Sequence, residues 1–159
     1  MSAPFIWVVI PSVLAIVLYL LRRWRLAVYI AGLLIMLTLT ALAWLLPIGE
    51  AISLGIPGLS AYKLADSMNI FGQSFVLGDS TRPVLALIYL SIVLWFGGAY
   101  MAKTGQLFIP LGIGIAALLT ASLAIQPPVF SALLIELAAL ACVPILAPPG
   151  KTMPRGVLR

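Results

Sequence analysis

The stretch SALLIELAALACVPIL, Ser131 to Leu146, decides how the rest of the chain is read. It is built almost wholly of Ala, Leu, Ile, Val and Cys, with one carboxylate, Glu136, inside it. Pro127 and Pro128 precede the run, and Pro148 and Pro149 follow it. Proline lacks a backbone N–H and drives the residue before it out of helical geometry, so the two pairs bracket one helix over 129–147. At roughly 1.5 Å of rise per residue such a helix crosses a bilayer, and Glu136 lies roughly 10–12 Å from one end. A carboxylate at that depth costs at least a few kcal/mol unless it faces a packed interior, water or a cation, or takes up a proton. The chemistry it suits best is proton or cation handling. The competing reading is a structural carboxylate, hydrogen-bonded to a serine, threonine or backbone group of a neighbouring helix.

The rest of the chain has the same character. Hydrophobic residues make up 64% of the 159, charged residues 8%, and the mean hydropathy is +1.22. These values lie far from a soluble domain and predict an all-α integral membrane protein. Apolar runs predict five membrane-spanning helices at about 4–21, 26–46, 83–102, 107–125 and 129–147, in a single membrane domain. A helix satisfies its own backbone hydrogen bonds in lipid, and no alternation of barrel type competes with it.

The net charge of +5 arises from orientation rather than from nucleic-acid binding. Arg22, Arg23 and Arg25 fill the first connection, Lys103 the third, and Lys151, Arg155 and Arg159 the tail at 148–159. Five spans put those seven on one side, against Lys63 and Arg82 on the other. The positive-inside rule then places the N-terminus outside, the loop 47–82 outside and the tail inside, in a bacterial cytoplasmic membrane. The first helix lacks a basic leader and a small-residue cleavage site, so it reads as retained. The lone Cys142 excludes an internal disulfide, and the absence of histidine excludes histidine-ligated metals and a His-based triad. No cofactor, metal or catalytic residue is expected in this chain.

Within the outer loop, Met68-Asn69-Ile70-Phe71-Gly72-Gln73-Ser74-Phe75-Val76 reads as a β-hairpin turning at glycine, with an interfacial helix as the rival. Asp79 and Arg82 are close enough to pair as loop-ordering or helix-capping charges. Short connections make helices three, four and five antiparallel neighbours, and helices one and two a tight hairpin. On helix four, Gly112 and Ala116, and Ala117 and Ala121, form small-xxx-small pairs that admit close helix packing. On helix five, Ala132, Glu136, Ala139 and Val143 share a stripe whose small residues predict a face pressed against protein. Tyr89, Thr120 and Ser122 are the hydroxyls available to the carboxylate. Trp7, Trp24, Trp44 and Trp95 read mostly as interface anchors.

This layout resembles the N-terminal third of the antiporter-like, proton-translocating subunits of respiratory complex I and of the related multisubunit cation/proton antiporters. The likeness is carried by the junction Ser74-Phe75-Val76-Leu77-Gly78-Asp79-Ser80-Thr81-Arg82-Pro83 and by Ile135-Glu136-Leu137 on the fifth helix. It implies that Glu136 belongs to a proton half-channel, paired in that family with a lysine on helix seven. The proline that follows the family's glutamate stands later here, as Pro144. The lysine-bearing helix has no counterpart in these 159 residues, so the channel is expected to be completed by further chain or by another subunit. The resemblance thus implies a membrane-arm subunit, or the N-terminal piece of one, of a quinone-linked, proton-translocating redox complex. Such a subunit is not catalytic alone; its partners are other membrane subunits and the lipid bilayer. The alternative is a non-catalytic accessory subunit of a respiratory or photosynthetic membrane complex.

Overall fold

A computed structural model describes residues 2–49, 51–52, 62–70, 72–102 and 105–146. Glu50, Lys103 and the tail at 148–159 lie outside the described residues, as does most of the early part of the outer loop. Among the described residues the chain is mostly helical. A π-helical turn, Phe5–Val9, runs into α1 (Ile10–Leu20); α2 (Arg25–Leu45), α3 (Arg82–Met101), α4 (Phe108–Ala124) and α5 (Val129–Leu146) follow. Three helices are long and apolar enough to cross a membrane: Arg25–Leu45, Val129–Leu146 and the segment Asp79–Ala99, which includes the turn before α3. The first and fourth, Phe5–Leu20 and Phe108–Ala124, are apolar but shorter.

Between α2 and α3 the chain forms strands. β1 (Ala51–Ile52) pairs with β2 (Tyr62–Lys63), and β3 (Ser67–Ile70) pairs antiparallel with β4 (Gln73–Val76). The second pair is the expected hairpin, and Gly72 at φ +78° supplies the left-handed turn that a side chain would resist. The sheet has a third member: β5 (Ile125–Gln126), in the connection from α4 to α5, adds to β4 with Phe75 opposite Ile125. Ala3 N–H donates to the Ala65 carbonyl at 2.7 Å, so the start of the chain joins the same end. At the far end, the Gln106 side-chain oxygen accepts from Arg25 Nε and Nη2, both at 3.0 Å, tying the starts of α2 and α4.

α4 is the centre of the bundle. It packs against α1, α2, α3 and α5, while α2 and α3 form the other large contact. Its small residues permit this. A Cβ at Gly112 would sit 2.5 Å from Phe96 Cε1, and Gly114 lies 4.0 Å from the Ala15 methyl on the same measure. Ala116, Ala117 and Ala121 are buried. The first connection is short, yet α1 does not pair mainly with α2 as a hairpin; it leans on the small-residue surface of α4. Phe96 and Trp95 close around Phe108, the latter edge-on at 4.6 Å between ring centres.

The outward faces are as apolar as the core. Ile16, Leu20, Leu26, Leu45, Leu87, Leu94, Leu140 and Leu146 are all exposed. A soluble bundle covers such faces with charge.

Candidate functional site

α5 is the least covered helix. Ser131, Leu134, Ala138, Ala141, Cys142 and Ile145 recur every three or four residues along its inner stripe, and of these only Ala138 is fully buried. Glu136 lies two residues from Ala138, roughly 200° around the helix, and so projects from nearly the opposite side. It is exposed, as are Ala132, Ala139 and Val143. The stripe expected to press against protein therefore faces outward in this chain. The physical reason is that α5 is apolar all round, so small size alone does not select the inner face; α5 packs on α4, and Ala138 is its buried residue.

Glu136 makes no hydrogen bond or ion pair among the described residues. The structural role considered for it, a bond to a neighbouring hydroxyl or backbone group, is not made here. The hydroxyls are engaged elsewhere. Thr120 Oγ1 donates to Tyr89 Oη at 3.2 Å, Tyr89 O–H donates to the Trp7 carbonyl, and Ser122 Oγ donates to the Leu119 carbonyl at 2.7 Å. Tyr89 and Thr120 are fully buried, away from the exposed carboxylate.

That buried polar line was not foreseen from sequence. Pro11 supplies no N–H to the carbonyl four residues before it, that of Trp7, and the Tyr89 hydroxyl donates there. Pro11 within an apolar helix was the available signal. Trp7 itself corrects the reading of an interface anchor: its indole is fully buried and its Nε1–H donates to the Leu39 carbonyl at 3.4 Å. Trp24 and Trp44 are exposed near helix ends.

Asp79 and Arg82 form a clasp at the end of α2. Arg82 Nη1 donates to Asp79 Oδ1 at 2.9 Å, Nε to the Ala43 carbonyl at 3.2 Å and Nη2 to the Trp44 carbonyl at 2.7 Å. Asp79 Oδ1 also accepts from Ile48 N–H at 3.3 Å. The last carbonyls of a helix have no intrahelical donor, and a cation there also meets the negative end of the helix dipole. The clasp thus holds the start of α3 against the end of α2. Beside it opens a cleft of about 240 Å³ lined by Ala43, Trp44, Asp79, Arg82, Pro83 and Ala86.

The structure therefore brings Asp79 and Arg82 together, packs Gly112, Ala116, Ala117 and Ala121 into the bundle, and leaves Glu136 apart from all of them. No cluster of three or more metal-ligating side chains occurs among the described residues. Comparison with protein-family models, curated proteins and solved structures finds no match.

Proposed function

We propose that this chain is a membrane-embedded subunit of a larger proton-translocating, quinone-linked complex, in which Glu136 is a proton relay completed by another subunit. The observation that carries the reading is the outward carboxylate, without a partner among the described residues, in the middle of a helix long and apolar enough to cross a membrane. In lipid such a group is held only by a partner or by a proton. The apolar outward faces support the membrane setting, and the charge asymmetry supports an N-terminus outside and a cytoplasmic tail. The likeness of the Asp79 junction and of Glu136-Leu137 to antiporter-like subunits supplies the kind of complex.

A second reading has its own support. No titratable side chain of the described residues contacts Glu136, so the described residues alone hold no proton wire. That favours an accessory subunit, with Glu136 serving as a contact rather than a relay. Glu136→Gln separates the two, because it keeps shape and hydrogen bonding while removing proton exchange. Proton pumping in membrane vesicles, measured beside complex yield on native gels, should fall sharply at normal yield. Unchanged pumping at normal yield removes the relay and leaves the accessory role. Loss of the complex itself assigns Glu136 to assembly.

A further inference from the structure

The clasp between α2 and α3 has more polar capacity than the cap uses. Arginine carries five N–H donors, and three are taken by Ala43, Trp44 and Asp79. One N–H on each of Nη1 and Nη2 is left over. On the carboxylate, Oδ1 accepts both bonds, from Arg82 and from Ile48, and Oδ2 takes none among the described residues. Among the described residues neither Arg82 nor Asp79 has a further partner. The side chains are 23% and 56% exposed, so the spare groups are reachable through the adjoining cleft. Capping α2 explains two of the donors and the ion pair a third; neither explains an open cleft with a spare cationic edge and a spare anionic oxygen beside it.

The rest of the lining is apolar. Ala43, Pro83 and Ala86 form its walls, and the exposed indole of Trp44 stands at its rim. If α2 and α3 span a membrane, the reading on which this inference rests, the cleft lies where the helices leave it, at the loop-bearing face. Tryptophan is favoured at that depth. A ligand matching this set of groups has an anion for the guanidinium, a hydrogen-bonding cation close to it for Asp79 Oδ2, and an apolar body.

We propose that the Asp79–Arg82 cleft is a binding site for a zwitterionic aminophospholipid, a phosphatidylethanolamine. Its phosphate accepts from the two spare Arg82 N–H groups, and its primary ammonium donates to Asp79 Oδ2. The glycerol and upper acyl chains lie along the exposed Pro83 ring and Trp44 indole. Each charge of the ion pair thus gains an opposite charge without the pair being broken. A choline headgroup has the same charges but no N–H to donate, so it forfeits the bond to Asp79. Phosphatidylglycerol brings the phosphate and sets an uncompensated negative charge against the carboxylate.

The test uses the full chain and lipid headgroups graded in methylation. The protein is reconstituted in nanodiscs of equal phosphatidylethanolamine and phosphatidylcholine, released into mild detergent, and its retained lipid is measured by native mass spectrometry. Phosphatidylethanolamine should be retained over phosphatidylcholine about tenfold, the scale of one charge-assisted hydrogen bond. N-methyl and N,N-dimethyl lipids, which keep at least one N–H, should be retained nearer to phosphatidylethanolamine than to phosphatidylcholine. Asp79→Asn keeps an acceptor for Ile48 and Arg82 and should abolish the preference. Soluble phosphoethanolamine should not displace the lipid, because it lacks the apolar body. Equal retention of the two lipids by the unaltered protein overturns the site, and so does a preference that survives Asp79→Asn. Displacement by the soluble headgroup overturns the lipid as its ligand. A chain that fails to enter nanodiscs at all overturns the membrane reading, and the site with it; that result is distinct from insertion without selectivity.

Discussion

Replacing Tyr89 with phenylalanine removes one oxygen atom from the middle of the bundle. That oxygen donates to the Trp7 carbonyl and accepts from Thr120 at 3.2 Å, in a place where Trp7, Tyr89 and Thr120 are all fully buried. Hydrogen bonds between membrane helices average about 0.6 kcal/mol and reach about 1.7. The Trp7 bond belongs at the upper end, because Pro11 cannot donate to that carbonyl and a stranded buried acceptor costs about 1–3 kcal/mol. The longer Thr120 bond is worth roughly 0.5 kcal/mol on the same scale. Tyr89→Phe is therefore expected to cost about 2 kcal/mol, and Thr120→Val, which keeps shape and loses only the weaker bond, about 0.5. The sharper expectation concerns the pair. With phenylalanine at 89 the threonine has already lost its acceptor, so Thr120→Val should add almost nothing, and the double variant should match Tyr89→Phe alone. The assay is unfolding in mixed micelles by added SDS, followed by tryptophan fluorescence. An equal cost of Thr120→Val in both backgrounds would refute the coupling; a neutral Tyr89→Phe would refute the role given to Pro11.

Two further outcomes are expected. Gly112→Leu should destabilise the bundle by about 2 kcal/mol or more, since even a Cβ there lies 2.5 Å from Phe96 Cε1, whereas Gly97→Ala, which meets nothing within 4 Å, should gain about 0.5–1 kcal/mol in the same micelle titration. In sealed cells, Ser80→Cys should react with an impermeant maleimide and Arg23→Cys only after the membrane is opened; the reverse pattern would invert the topology.

The helices were legible because their ends are written in residues with hard backbone constraints. Pro47 follows α2, Pro83 opens α3, and Pro127 and Pro128 separate α4 from α5. The hairpin was legible for the same kind of reason, through Gly72. β5 was not, because a strand of two residues is defined by its partner β4 rather than by any pattern of its own. Nor was the face of α5 that turns inward. Periodicity identifies a face only where polar and apolar residues alternate around the helix, and α5 offers one polar residue of consequence, Glu136. Trp7 was misplaced because tryptophan suits both an interface and a core, and only the Leu39 carbonyl distinguishes them. The Asp79–Arg82 pair was within reach of sequence, being three residues apart; its hold on Ala43 and Trp44 depends on a return of the chain across a long loop.

The central position of α4 sets an order on biosynthesis. It follows three of the described helices in the chain, yet the others find a shared surface on it. Until Phe108–Ala124 has emerged, Phe96 has no Gly112 to close on, Tyr89 no Thr120, and Ala15 no Gly114. At about 5–20 residues per second the ribosome needs on the order of one to three seconds to supply that segment. For that interval the nascent chain offers an α2–α3 pair and an α1 without the surface it packs on, a state open to chaperones and membrane proteases. Completion of the native bundle therefore comes late, with a single helix, and a chain that stalls before it keeps only the α2–α3 pair.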